Sequence, residues 1–375
     1  KQCWLKPFWL QPLLLRVPGW TAGSPQRDTA AGFGTRAPRR PQRSRKRAPQ
    51  RPSGAAPGAM PKAILINSGR LNWDGALDLG KLEAVVEVSQ NDPDASPEEI
   101  LKLVDGCDIV ISKEIPVPGH VIEQFPPSVR LIQEAGTGFN NVDLAAAKAK
   151  GITVCNCPAY SSDAVAQLVL TFILNFSCSM VPQMRSLAKG DRTNFTDRLR
   201  VPHFELGGKT LGLIGGTGGI GTEVAKLARA CGMNVIFTSR SQTGPDIKPL
   251  EELLQVSDFV SLHCPFNSET KYIMNKSTLG LMKPTAYLIN TGRGPLINEA
   301  ELAEVLKSNG IAGAALDVQE VEPPPEASPL YALENVILTP HIGWKRVETR
   351  QRLMDIVADN VTKFLEGAPV NVVSA

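Results

Sequence analysis

The strongest constraint in this chain is an alternation. From Lys62 onward, short β-branched runs take turns with helical patterns, which argues for parallel sheets wrapped by helices. The first set of runs covers residues 63–67, 84–88, 108–112, 129–133 and 152–156. The second covers 210–214, 234–238, 259–263, 286–290, 313–318 and 335–340. Between the sets an apolar helical pattern opens at Ser162 and Asp163, residue types that suit a helix start, and runs to about Phe176. A last helical pattern spans about Val347 to Leu365, ends at Gly367, and cannot continue through Pro369. Nothing repeats at a fixed period, which excludes a solenoid. Two α/β domains facing each other across a cleft are the simplest architecture.

With 375 residues, 42% hydrophobic and 21% charged, the chain can fill two cores and is not a disordered polymer. The longest nearly apolar run, Leu168 to Phe176, is about half the length a bilayer demands, so no membrane association is expected. The seven cysteines show no CxxC and no regular spacing, which points to a reduced, intracellular protein without a disulfide framework, and no metal centre is expected. Charge is uneven. Residues 1–59 carry twelve basic side chains against one acid, Asp28, whereas the remaining 316 residues carry 28 basic and 36 acidic ones.

That leader, rich also in Pro and Gly, is not expected to pack into a core. Two readings of it stand: an organelle-targeting segment, or a translated upstream region, since Met60 sits just before the first strand-like run. The first would place the protein in a mitochondrion or plastid, the second in the cytoplasm. A nucleic-acid-binding arm at Arg39 to Arg47 is disfavoured because the acidic body would repel phosphate, so no nucleic-acid partner is expected.

After the run Thr210 to Ile214 comes Gly215-Gly216-Thr217-Gly218-Gly219-Ile220-Gly221, then a helical pattern from Glu223 to Ala230. Gly216, Gly218 and Gly221 fit GxGxxG, a pattern that allows a tight turn and lets backbone amides meet a pyrophosphate at a helix N-terminus. The letters alone are weak, but strand, glycine turn, helix and strand in sequence form the context a dinucleotide site needs. At the end of the next strand an NAD site carries an acid for the ribose hydroxyls. Here Thr238-Ser239-Arg240-Ser241 offers none, and Ser239 and Arg240 suit a 2′-phosphate. NADP(H) is therefore favoured, with NAD(H) still open. Gly208-Lys209-Thr210 mimics the end of a P-loop, but it precedes a strand rather than following one.

Of four histidines, His120 and His203 read as loop residues, and His263 closes a strand where it should line the cofactor cleft. His341 ends the run 335–340, at the sheet edge where catalytic groups gather. Two further strand ends lead to Arg293 and to Glu320 and Glu322. An arginine, a glutamate and a histidine from three strand ends can bind a carboxylate and move a proton.

At residues 62–375 the chain resembles the D-isomer-specific 2-hydroxyacid dehydrogenases. The matching stretches are residues 138–143, the glycine run, 262–270, 289–298, 314–323 and 338–344. Within that family the glycerate dehydrogenase/hydroxypyruvate reductase branch is the nearest likeness, through residues 68–80, Trp344, 350–356 and 369–373. The resemblance implies a Rossmann-type doubly wound cofactor domain, about 161–344, inserted into a smaller flavodoxin-like substrate domain, about 62–160 plus 345–375. It implies a homodimer, formed through the 162–200 region. It carries catalytic roles to Arg293, Glu322 and His341, with Glu322 chosen over Glu320 because it lies five residues after Asp317.

The resemblance also implies a small 2-oxo or 2-hydroxy acid substrate held by Lys113, Thr137 and Gly138. Cofactor contacts are implied at Gly216, Gly218, Gly219, Ile220, Gly221, Ser239, Arg240, His263, Cys264, Pro265, Thr270, Thr291, Gly292, Asp317 and Gly343. The glycine stretch is one residue longer than the family's form, which leaves open which amides meet the pyrophosphate, with Gly218, Gly219 and Ile220 the best candidates. Two rivals remain. One is another D-2-hydroxyacid dehydrogenase; the other is a non-catalytic, NAD(P)-sensing corepressor-like protein, against which the intact Arg–Glu–His set counts.

Overall fold

The computed structural model describes residues 59–196 and 198–374. Apart from Ala59, the basic leader and the readings attached to it lie outside the described residues.

Among the described residues, eleven parallel strands build two sheets. The first sheet holds β1 (Lys62–Leu65), β2 (Glu87–Gln90), β3 (Ile109–Ser112), β4 (Leu131–Glu134) and β5 (Thr153–Cys155), in the order β2-β1-β3-β4-β5. The second holds β6 (Thr210–Ile214), β7 (Asn234–Thr238), β8 (Phe259–Leu262), β9 (Tyr287–Asn290), β10 (Gly313–Leu316) and β11 (Val336–Leu338), in the order β11-β10-β9-β8-β6-β7. An isolated parallel bridge from Phe237 to Ile247 extends the second sheet beyond β7. The winding reverses between β1 and β3 in one sheet and between β6 and β8 in the other, and such reversals open a crevice at the carboxyl ends of the strands. The first sheet has the flavodoxin-like order and the second is of Rossmann type. Every residue of β3, β4, β8, β9 and β10 is buried, as strands covered on both faces by helices must be.

The runs read from sequence land on these strands with one displacement. The run 84–88 becomes a strand only at Glu87, because the amides of Val85 and Val86 bond back to the Leu82 carbonyl at 3.0 and 3.2 Å. They close the short helix Gly80–Glu83 and cannot join the ladder. The apolar helix runs Ser162–Cys178, but its cap is Ser161, which makes no side-chain cap bond. Asp163 instead lies in the first turn, where a negative charge favours the amino end of the helix dipole. This helix packs Val169, Phe172 and Phe176 with Val224 and Ala228 of the helix Gly219–Ala230, under one face of the second sheet.

The C-terminal helix Val347–Leu365 belongs to the first sheet, where Leu353, Met354, Val357 and Val361 join Leu65, Ile111 and Leu131 in one core. Gly367 ends it at φ 78°, and the chain returns to the sheet edge through a Val373 amide to Val154 carbonyl bond of 2.9 Å. Arg350 on this helix is almost wholly buried. It pairs with Asp74 at 2.5 Å, donates to the Leu71 carbonyl at 2.7 Å, and stacks 3.9 Å from the Trp73 ring centre. One guanidinium therefore ties the loop after β1 to the last helix. Arg350→Ala is expected to destabilise the fold by about 1–3 kcal/mol in chemical denaturation, because it strands the buried Leu71 carbonyl and removes the packing on Trp73.

Candidate active site

Both sheets point their strand ends into a single cleft of about 610 Å³. Lys113 follows β3, and Thr137 and Gly138 follow β4. From the other side come Gly218 to Gly221 after β6, His263, Cys264 and Pro265 after β8, and Thr291, Gly292 and Arg293 after β9. Asp317 after β10, and His341 and Gly343 after β11, complete the wall.

The extra glycine resolves into a division of labour. Gly215 makes the turn at φ 74°, where a β-carbon would strike the Cys264 backbone. Gly216 does not line the cleft: a β-carbon there would run into Leu213 and Phe237, so this glycine serves the packing of helix on sheet. Glycine is therefore required at this position by packing, whatever its amide does toward a cofactor. Gly221 is a contact glycine too, pressed on the Gly216 backbone, although it borders the cleft. Gly218 caps the helix with open space beside it, and the first-turn amides of Gly219 and Ile220, which have no partner inside the helix, lie at the cleft wall.

His341 has a left-handed backbone, φ 51°, unfavourable for a histidine and held by its surroundings. Its Nδ1 lies 2.8 Å from Glu322 Oε2, while the other carboxylate oxygen accepts the Gln319 amide at 3.1 Å. Burial works to raise the Glu322 carboxyl, but the bond to His341 and its charge prevail, and the group sits below the usual carboxylate range. Glu320, two residues away, accepts instead from the Tyr272 hydroxyl. Arg293 crosses the cleft to the opposite loop, so close to Gly138 that a β-carbon there would collide with its guanidinium. Thr137 braces that loop, its hydroxyl donating to the Cys157 carbonyl at 2.9 Å. A base, held from behind by its orienting acid, and a cation therefore face one space. Such a set can bind an anion, polarise a carbonyl and exchange one proton.

Residues 170–343 match the family model described as D-isomer specific 2-hydroxyacid dehydrogenase, NAD binding domain. A hydroxypyruvate reductase from Blautia hydrogenotrophica is 36% identical over 318 residues, 82% of this chain and 97% of that protein. The chain belongs to the D-isomer-specific 2-hydroxyacid dehydrogenase family. Among solved structures, an acyclic imino acid reductase in complex with NADPH and D-Arg superposes with a TM-score of 0.75 at 31% identity, over 83% of this chain and 99% of that one. An NADPH-dependent glyoxylate/hydroxypyruvate reductase from Sinorhizobium meliloti, in complex with NADP and malonate, gives 0.71 at 27% identity, over 84% and 97%.

As a member of that family the chain takes a nicotinamide cofactor, and the residues fit one. The Thr291 hydroxyl is buried at the cleft wall with no hydrogen-bond partner, an orphan that a polar ligand group would satisfy. The open space at Gly218 and the helix start beyond it suit a pyrophosphate. His263 is pushed down to about 4 by burial, so a neutral ring faces the cleft, bonded through Nε2 to Ser261 Oγ at 3.0 Å.

Besides Gly216, three expected cofactor residues lie off the cleft wall. Thr270 is buried and its hydroxyl donates to the Pro265 carbonyl at 2.7 Å, which braces the loop that carries Pro265. Ser239 accepts the amides of Ser241 and Gln242 and shapes a turn. Arg240 extends into solvent and pairs with Glu269. Asp317 does reach the cleft, but its carboxylate is consumed by the Thr339 hydroxyl at 2.6 Å and the Ile342 and Gly343 amides at 2.8 and 2.9 Å. It braces the His341 loop from behind. Burial raises this carboxyl above its ordinary range despite those bonds. Among the described residues no cluster of three or more His, Cys, Asp or Glu side chains could hold a metal ion.

Sequence reasoning missed Glu114, which stands at the cleft wall with Lys113. No motif marks it; its only signal was a second charge directly after a buried strand. Lys113 itself is wholly buried. Its Nζ lies 2.6 Å from Glu114 Oε1, 3.5 Å from the Tyr160 hydroxyl and 3.8 Å from the Trp344 ring centre.

Proposed function

We propose that this enzyme reduces a small 2-oxo acid to the D-2-hydroxy acid, with Arg293, Glu322 and His341 as its working groups and NADPH as its preferred reductant. The 2.8 Å contact by which Glu322 orients His341, with His341 and Arg293 both on the wall of one cleft, carries this reading.

The cofactor, when bound, supplies hydride to the carbonyl carbon. Arg293, beside Gly138, is placed to pair with the substrate carboxylate through its planar fork and to draw charge onto the carbonyl oxygen. His341 Nε2 faces the space where that oxygen gathers charge, and donates the proton it needs. Glu322 on Nδ1 fixes the ring and favours its charged form. Backbone amides near Thr137 and Gly138 meet the carboxylate from the other lobe, and Thr291 offers its free hydroxyl to the carboxamide. Gly219 and Ile220 hold the pyrophosphate.

Arg240 supports the cofactor preference. Its pair with Glu269 is exposed on both sides, worth little in water, and readily exchanged for a 2′-phosphate. A second copy of the chain is supported by an apolar surface. The helix Met180–Ala188 has no buried residue, and Met180, Met184, Leu187, Phe195 and Leu199 are all exposed. Light scattering should give a dimer; a mass near 40.4 kDa would refute it.

His341→Ala should cut kcat by roughly two to four orders of magnitude, and Arg293→Ala should raise KM as well as lower kcat, in assays of hydroxypyruvate and glyoxylate reduction. A wild-type rate in His341→Ala removes its assignment. Arg240→Ala should weaken NADPH far more than NADH, and equal loss of both removes the 2′-phosphate contact.

A further inference from the structure

We propose that Glu114 reads the substituent on the carbon next to the reacting carbonyl. It selects 2-oxo acids that carry a hydrogen-bond donor there, such as hydroxypyruvate, over those that carry a methyl group or a second anion. The proposal rests on the reading of the cleft as a 2-oxo acid site.

The placement of Glu114 is specific. It follows β3 and Lys113 with φ 58°, a left-handed conformation that a glutamate adopts rarely and that clusters at functional sites. The buried Glu134 holds this turn by accepting the Glu114 amide at 3.2 Å. The side chain is thereby aimed across the cleft, with Oε1 2.6 Å from Lys113 Nζ and 3.8 Å from His341 Nε2. Among the described residues no donor reaches Oε2. Burial would raise this carboxyl, but Lys113, His341 and Arg293 together hold it low, so the charge is kept.

Glu114 also stands at a border. It lines the cofactor cleft and, with His341 and Trp344, a second cavity of about 600 Å³ walled by Trp73 and Tyr331. A substrate with its carboxylate on Arg293 and its carbonyl oxygen at His341 Nε2 has its remaining carbon on the Glu114 side. A hydroxyl on that carbon can donate to Oε2 while the neighbouring carbonyl faces His341. A methyl group leaves the carboxylate oxygen desolvated and unpaired, and a site built to bond a hydroxyl rejects such an analogue. A second carboxylate or a phosphate meets like charge.

The experiment measures kcat/KM for hydroxypyruvate, pyruvate and oxaloacetate with wild-type enzyme and Glu114→Gln, which keeps an oxygen for Lys113. The wild type should prefer hydroxypyruvate over pyruvate by about tenfold or more, and Glu114→Gln should shrink that ratio by about tenfold while the oxaloacetate ratio rises. Ratios unchanged by the substitution overturn the proposal. Should the variant fail to fold, product inhibition of the wild type decides: D-glycerate should bind about tenfold tighter than D-lactate, which lacks only the hydroxyl, and equal binding overturns it. A wild type that reduces no 2-oxo acid sinks the reading of the cleft and this proposal with it. Reduction of hydroxypyruvate and pyruvate at equal efficiency sinks the role of Glu114 alone.

Discussion

The site depends on one buried carboxylate. Asp317 receives the Thr339 hydroxyl and the Ile342 and Gly343 amides on its side chain, and the His341 amide on its carbonyl at 2.9 Å. Four donors on one residue hold the loop after β11 in a shape that forces His341 to φ 51°. Without them a histidine has no reason to stay left-handed, and its ring loses its line to Glu322. Preorganisation is created here by main-chain hydrogen bonds in a place where water cannot compete.

Across the cleft, a different device holds charge. The buried Lys113 pairs with the half-buried Glu114 near the buried Glu134, a group closed by Ser112, Asn141 and the Tyr160 hydroxyl. Burial alone would discharge each of them. Mutual pairing keeps Lys113 and Glu114 charged, while Glu134, deepest of the three, is left with a raised carboxyl. The acidic lobe wall and the basic Arg293 therefore coexist in one space, which gives an anionic substrate a direction: carboxylate toward the guanidinium, donor end toward Glu114.

Much of the fold was legible. Alternating β-branched runs located the described strands, with β2 displaced, and were clearest for β3, β4, β8, β9 and β10, which are buried on both faces. The glycine turn and the strand-end placement of Arg293, Glu322 and His341 were legible for a similar reason: a crevice at carboxyl ends admits only residues that directly follow strands. What misled was local. Val85 and Val86 look like strand residues but close a helical turn. Gly216 matched a motif, yet its lack of a side chain serves packing against Leu213 and Phe237, while Gly215 makes the turn. Thr270 sits in a matching stretch, but its hydroxyl faces its own loop.

The amino-acid order alone determined the alternation of strands and helices, which strand ends carry polar side chains, and that no carboxylate directly follows β7. These are properties of short segments, set by periodicity and residue type. Only the tertiary structure decided that Asp317 turns its carboxylate to the backbone, that Arg293 reaches the Gly138 loop, and that Glu114 enters the cleft beside His341. Each of those facts joins segments far apart in the chain, and a side chain's direction at such a junction follows from the packing of both lobes together.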